Sequence, residues 1–163
     1  MNQNQFTKKS MEALQRAQAL ASEYSQQTLE QAHLLYALLE NPQGLISQLL
    51  TKMNRDAALL SAAALEEIEK LPRVKGLARE QNKAYISQDM DKAMQEAGKI
   101  AERMKDEYLS VEHLFMGLIS VPDRSVKALF NRFTINEHDF LTALNTVRGA
   151  ARVTGDNPED TYE

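Results

Sequence analysis

Apolar residues recur along this chain at the three- and four-residue spacing of helices buried on one face, and no β-branched run alternates as a half-buried strand would. Met11, Leu14, Ala17 and Ala21 set the first stripe and predict a helix over about Thr7 to Tyr24. A second is predicted from about Glu30 to Glu40, stopped by Asn41-Pro42. Proline ends a helix because it lacks the N–H and its ring clashes with the preceding turn, and it suits the first turn of the next. A third helix covers about Gln43 to Lys52, and a fourth about Arg55 to Lys70, ending at Leu71-Pro72. The period lapses from Arg73 to Ile86 and resumes at Ser87. Helices five to eight are predicted from about Gln88 to Lys105, Val111 to Ser120, Asp123 to Asn131 and Asn136 to Val147. The remainder, with Gly149, Gly155 and Asp156-Asn157-Pro158, reads as a flexible exit toward further chain.

The helices come in two sets of four. A gapless shift of 80 positions places Ala13 on Ala93, Gln15 on Gln95, Ala17 on Ala97, Ala21 on Ala101, Leu29 on Leu109, His33 on His113, Leu34 on Leu114 and Leu38 on Leu118. Those are eight identities in the 27 positions from Ala13 to Leu39, and similar apolar residues continue to coincide at Ile46/Val126 and Leu50/Phe130. Two unrelated amphipathic helices align at some offset, but not through three helices in one register. The expected fold is all-α: eight helices as two tandem four-helix repeats with pseudo-two-fold symmetry, each repeat covering apolar faces of the other. Residues 1–148 form the domain, with repeat one over about 6–71, a linker over 72–86, repeat two over about 87–147, and an exit over 149–163.

Composition narrows the function. Hydrophobic residues make up 43% of the 163 positions, enough for a packed core. The absence of cysteine excludes disulfides, thiolate metal sites and cysteine nucleophiles. The net charge is −4 and no basic run exceeds Lys8-Lys9, which argues against a nucleic-acid partner. The polar opening from Met1 to Lys9 has no secretory h-region, and the longest apolar run, Leu34–Leu39, is far short of the roughly 20 residues a bilayer requires, so no membrane partner and a cytoplasmic location are expected. No phosphate-binding loop is present: the Gly98-Lys99 pair is followed by Ile100 and lacks the glycine five positions earlier. Glu30-Gln31-Ala32-His33 has the spacing of a helical metal ligand pair, but repeat two offers Ser110 where Glu30 stands, so no metal site is expected. Thr7 is placed to cap the first helix, and Glu112 to face the positive end of the sixth. No catalytic residue is assigned.

Both repeats share a phrase, Leu29-Glu30-Gln31-Ala32-His33-Leu34-Leu35 and Leu109-Ser110-Val111-Glu112-His113-Leu114-Phe115, and the first copy opens with Phe6-Thr7. This resembles the Clp amino-terminal repeat domain from Phe6 to about Gly149. Leu71-Pro72-Arg73-Val74, Ser87-Gln88-Asp89-Met90 and the stretch from Arg152 to Tyr162 are similar to the ClpB-type disaggregases within that family. The resemblance implies a non-enzymatic module that binds exposed apolar segments of unfolded or aggregated proteins and passes them to an AAA+ motor. ATP and Mg would belong to the motor, outside this chain, and the whole protein would be a homo-hexamer working with a DnaK-type chaperone. It further implies functionally sensitive positions at Thr7, Asp106 and Glu112, and a substrate groove near Met90, Met94, Glu96 and His113. Met90 and Met94, one helical turn apart, are expected to share a partly exposed groove wall. Glu96 and His113 are departures, since a more apolar residue can stand there in the family. Docking of folded adaptor proteins is the rival implied by other Clp domains, and a structural cap that tunes the motor is another.

Overall fold

The computed structural model describes residues 5–75, 84–149, 155, 158 and 159. Among them are eight helices: α1 (Lys8–Glu23), α2 (Gln31–Leu39), α3 (Leu45–Lys52), α4 (Ala57–Lys70), α5 (Gln88–Arg103), α6 (Val111–Ser120), α7 (Arg124–Arg132) and α8 (Glu137–Arg148). Each starts where local chemistry favours it. Thr7, Ser87, Asp56, Asn136 and Asp123 accept a hydrogen bond from a backbone N–H three residues on, which satisfies a donor the first turn leaves open.

The repeat register extends to the backbone. α1 and α5 begin and end 80 positions apart, and α4 begins 80 positions before α8. Four non-glycine residues have positive φ, and they too form two pairs at that offset: Ser25 with Lys105, and Asn54 with Thr134. A left-handed residue just after a helix turns the chain sharply, so the two repeats share their corners as well as their helices.

One feature escaped the apolar pattern. Thr28–Leu29 (β1) pairs in parallel with Tyr85–Ile86 (β2), at the end of the stretch predicted as linker. The related contact is a bridge from Phe6 to Leu109, in which the Thr7 N–H donates to the Leu109 carbonyl at 3.0 Å and the Leu109 N–H to the Gln5 carbonyl at 2.7 Å. The segment leading into each repeat therefore pairs with the opposite repeat. Residues 76–83 of the predicted linker lie outside the described residues, as does most of the predicted exit.

The core is built on α2 and α6, whose buried residues cover most of each helix. Phe115 on α6 stacks at 4.9 Å from Phe140 of α8 and 5.5 Å from Phe130 of α7. Gly117 lets α6 approach α5 closely: a Cβ there would stand 2.5 Å from the Ala93 carbonyl oxygen. A smaller cluster of Leu20, Ala32 and Ile68 joins α1, α2 and α4 in repeat one.

Candidate functional site

Twelve polar or charged residues are buried among those described, and eight of them gather at one place: Thr7, Ser10, Asp106, Ser110, Glu112, His113, Arg148 and Glu159. Buried polar groups persist only when bonded to one another, and a network accounts for this set. The Ser110 backbone N–H donates to His113 Nδ1 at 2.9 Å, which leaves the ring proton on Nε2, donated to Asp106 Oδ2 at 2.7 Å. Arg148, the last residue of α8, pairs with Asp106 through one guanidinium nitrogen and with Glu112 Oε2, at 3.4 Å, through another. Ser10 Oγ donates to the Leu109 carbonyl at 2.8 Å. Thr7 Oγ1 caps α1 and also donates to Glu159 Oε2 at 2.7 Å, where the Val111 N–H arrives at 3.2 Å. Burial pushes the Glu159 carboxyl above the usual range and the Glu112 carboxylate adds to that, against the lowering effect of the Thr7 and Val111 bonds.

Repeat one has a neutral version of the same arrangement. Asp106, Glu112 and Arg148 stand 80 positions after Gln26, Ala32 and Ile68. There the Glu30 N–H donates to His33 Nδ1 at 2.9 Å, His33 Nε2 donates to Gln26 Oε1 at 2.6 Å, and the Gln26 amide donates to the Ile68 carbonyl at 2.6 Å. The apolar contact of Ala32 with Ile68 becomes the ion pair of Glu112 with Arg148. Both ring nitrogens of His33 are taken by these bonds, so the Glu-x-x-His spacing serves a helix start.

Ser110, His113 and Asp106 lie in a hydrogen-bonded line, with Ser110 Oγ 3.1 Å from Nδ1. All three are 6% exposed or less. Nδ1 already accepts the Ser110 N–H, and no substrate reaches a hydroxyl so enclosed. The line orients α6.

An open feature adjoins this network. A cleft of 320 Å³ runs between α1 and the α2–α3 turn, with Lys9, Glu12, Arg16 and Glu40 at the rim and Ala13, Leu38, Leu45, Ile46 and Val111, each 8% exposed or less, beneath it. Arg16 Nε bonds Glu40 Oε2 at 2.7 Å across it. Val111 belongs to both the cleft and the network.

Of the seven residues expected at the site, Thr7, Asp106, Glu112 and His113 join one network, and Met90, Met94 and Glu96 lie along α5 outside it. Met90 is 1% exposed and part of the main core, so it does not form the expected groove wall; an unbranched apolar side chain at this position of α5 packs inward with Ala93 and Ala97. Met94 is partly buried against the same core. Glu96 is half-buried, accepting from Ser120 Oγ at 3.2 Å. His113 and Glu112 have no exposed surface and so line no open groove. Arg148 and Glu159 were not expected. The signal for Arg148 was the 80-position shift carried to its end, where an arginine stands opposite Ile68. Nothing in the pattern of apolar residues marks Glu159.

A duplicated four-helix unit closed around a buried polar network, with a shallow cleft beside it, defines an all-α tandem-repeat domain. The chain belongs to the Clp repeat (R) N-terminal domain family, whose model matches residues 5–133. It is 40% identical over 163 residues to the chaperone protein ClpB of Bacillus cereus, covering the whole of this chain and 19% of that protein. The chain thus spans about a fifth of the length of the curated relatives it matches. Among solved structures it is similar to the Hsp104 N-terminal domain of Candida albicans, with a TM-score of 0.82 at 19% identity, covering 94% of this chain and 98% of that one. A ClpV N-domain solved in complex with a VipB peptide matches with a TM-score of 0.68 at 16% identity, covering 93% of this chain and 91% of that one. No helix among the described residues is long and apolar enough to cross a membrane.

Proposed function

We propose that this chain is the substrate-contacting amino-terminal module of a ClpB-type disaggregase, capturing exposed apolar segments of unfolded or aggregated polypeptides. The observation that carries the reading is the cleft between α1 and the α2–α3 turn, an apolar floor inside a charged rim. Such a site gains affinity from apolar area removed from water, while the rim orients the chain without reading its sequence. The peptide complex of the related ClpV N-domain supports it. The buried Thr7–Asp106–Glu112 network acts behind the cleft by fixing the start of α6, and thus Val111. The rest of the protein would be an AAA+ motor taking ATP and Mg, assembled as a homo-hexamer in the cytoplasm and working with a DnaK-type chaperone. Six copies would raise the avidity of weak single contacts.

The test is an NMR titration of the labelled chain with a permanently unfolded, apolar-rich polypeptide. Amide shifts concentrated on Lys9, Ala13, Leu38, Ile46 and Val111 are expected. An unchanged spectrum at high ligand concentration rejects direct capture. The charged rim favours a second reading, docking of a folded adaptor; that partner would bind with fixed stoichiometry and would weaken on Arg16→Glu.

A further inference from the structure

Glu159 lies beyond the end of α8 at Arg148, yet its side chain has no exposed surface. Its Oε2 takes two donors, the Thr7 hydroxyl at 2.7 Å and the Val111 N–H at 3.2 Å. Val111 opens α6, so this N–H is one that a helix leaves without an internal partner, at the end where positive charge collects. The second oxygen, Oε1, is buried and accepts no hydrogen bond among the described residues. The carboxylate, which its own backbone N–H also favours, thus has one oxygen bonded and one not, with the Glu112 carboxylate acting against its charge. Few buried polar atoms in folded proteins go unbonded, so an oxygen without a donor marks a group whose fit is incomplete. The donors, by contrast, are firmly fixed: Thr7 by its backbone bond to Leu109, and Val111 by the helix start that His113 and Ser110 hold. The seat is well built and its occupant fits it imperfectly. Val111 also lines the cleft, so the seat adjoins the proposed peptide path.

We propose that Thr7 Oγ1–H and the Val111 N–H form a carboxylate subsite at the end of the peptide cleft, filled from within by Glu159 and taken over by a carboxylate of a bound polypeptide, at its carboxy terminus or on an Asp or Glu side chain. The proposal rests on the capture reading above. Tethered to α8, Glu159 competes as a ligand of high local concentration, and an incoming acid must displace it. The domain thereby holds its own polar subsite shut against neutral segments and yields it to acidic ones.

The experiment compares the 163-residue chain with its Glu159→Gln and Glu159→Ala variants. The probe is a labelled, apolar-rich unfolded peptide free of Asp and Glu, made once with a free carboxy terminus and once amidated, and binding is read by fluorescence anisotropy. Removing the internal competitor should tighten binding of the acid form by about ten-fold, the size of a charge-assisted hydrogen bond, and leave the amidated form unchanged. The acid form alone should shift the Thr7 and Val111 amides. Glu159→Gln keeps the side-chain volume and should show the same preference if Glu159→Ala fails to fold. If both peptides bind but neither variant separates acid from amide, the subsite is wrong and the capture reading stands. If neither peptide binds any form of the chain, the capture reading fails and takes the subsite with it.

Discussion

His33 and His113 occupy the same place in the two repeats and accept the same backbone N–H, but one donates to an amide and the other to a carboxylate. Burial pushes the His33 imidazole down to about 4, with Glu30 acting in the opposite direction. The unfolded imidazole titrates near 6.5, so between these values the unfolded chain binds more protons than the native one, and stability falls as pH drops. The contribution is complete above pH 6.5 and is lost toward pH 4. Glu159 and Asp123, raised by burial, act with the opposite sign just above the ordinary carboxyl range. Urea unfolding should therefore show a loss of about 2 kcal/mol from His33 between pH 7 and pH 5. His33→Gln should remove most of that slope; an unchanged slope would assign the pH dependence elsewhere. At this scale the sequence was partly legible. Thr7 as a cap is readable, since a hydroxyl before a helical stripe has one obvious use. The family resemblance pointed to Asp106 and Glu112. That Met90 faces the core was not readable, because an amphipathic helix with methionine at its margin presents the same spacing whether that margin is covered or bare.

Helix boundaries came within about two residues of expectation because each is fixed by local chemistry: Asp56, Asn136 and Asp123 as caps, Pro42 and Pro72 as breaks. β1 and β2 were missed because two-residue strands are too short to show alternation, and their pairing depends on residues far apart in the chain. One close helix contact also depends on a single residue. Gly117 on α6 faces the Ala93 carbonyl and Ala97 on α5, where repeat one has Ala37 instead. Gly117→Ala would gain up to about 1 kcal/mol in helix propensity. The backbone oxygen 2.5 Å from the new Cβ cannot swing aside as a side chain would. A net destabilisation of about 1–3 kcal/mol is expected from overpacking, measured as a lower urea midpoint. A rise in the midpoint would show that α5 and α6 separate without cost.

Across the whole molecule, the exchanged entry segments join the repeats. Gln5–Thr7 bonds to Leu109 in repeat two, and Tyr85–Ile86 bonds to Thr28–Leu29 in repeat one. α2 and α6 bury residues on most of their circumference and touch each other as well as their own repeats, so each repeat alone would leave part of its central helix in water. Residues 1–75 produced alone should give a poorly dispersed amide spectrum with weak helical circular dichroism, and the intact chain a single cooperative unfolding transition. An isolated half with native dispersion would show the repeats to be autonomous. The pseudo-two-fold arrangement was legible in the 80-position shift. The concentration of buried charge in one repeat was not, because it is assembled from residues on four segments. That imbalance has a further consequence. With Gln26, Ala32 and Ile68 on one side and Asp106, Glu112 and Arg148 on the other, the molecule carries its own reference copy: the first repeat closes the same architecture with a neutral set at these three places, so the buried ion pairs of the second are not something the fold by itself demands.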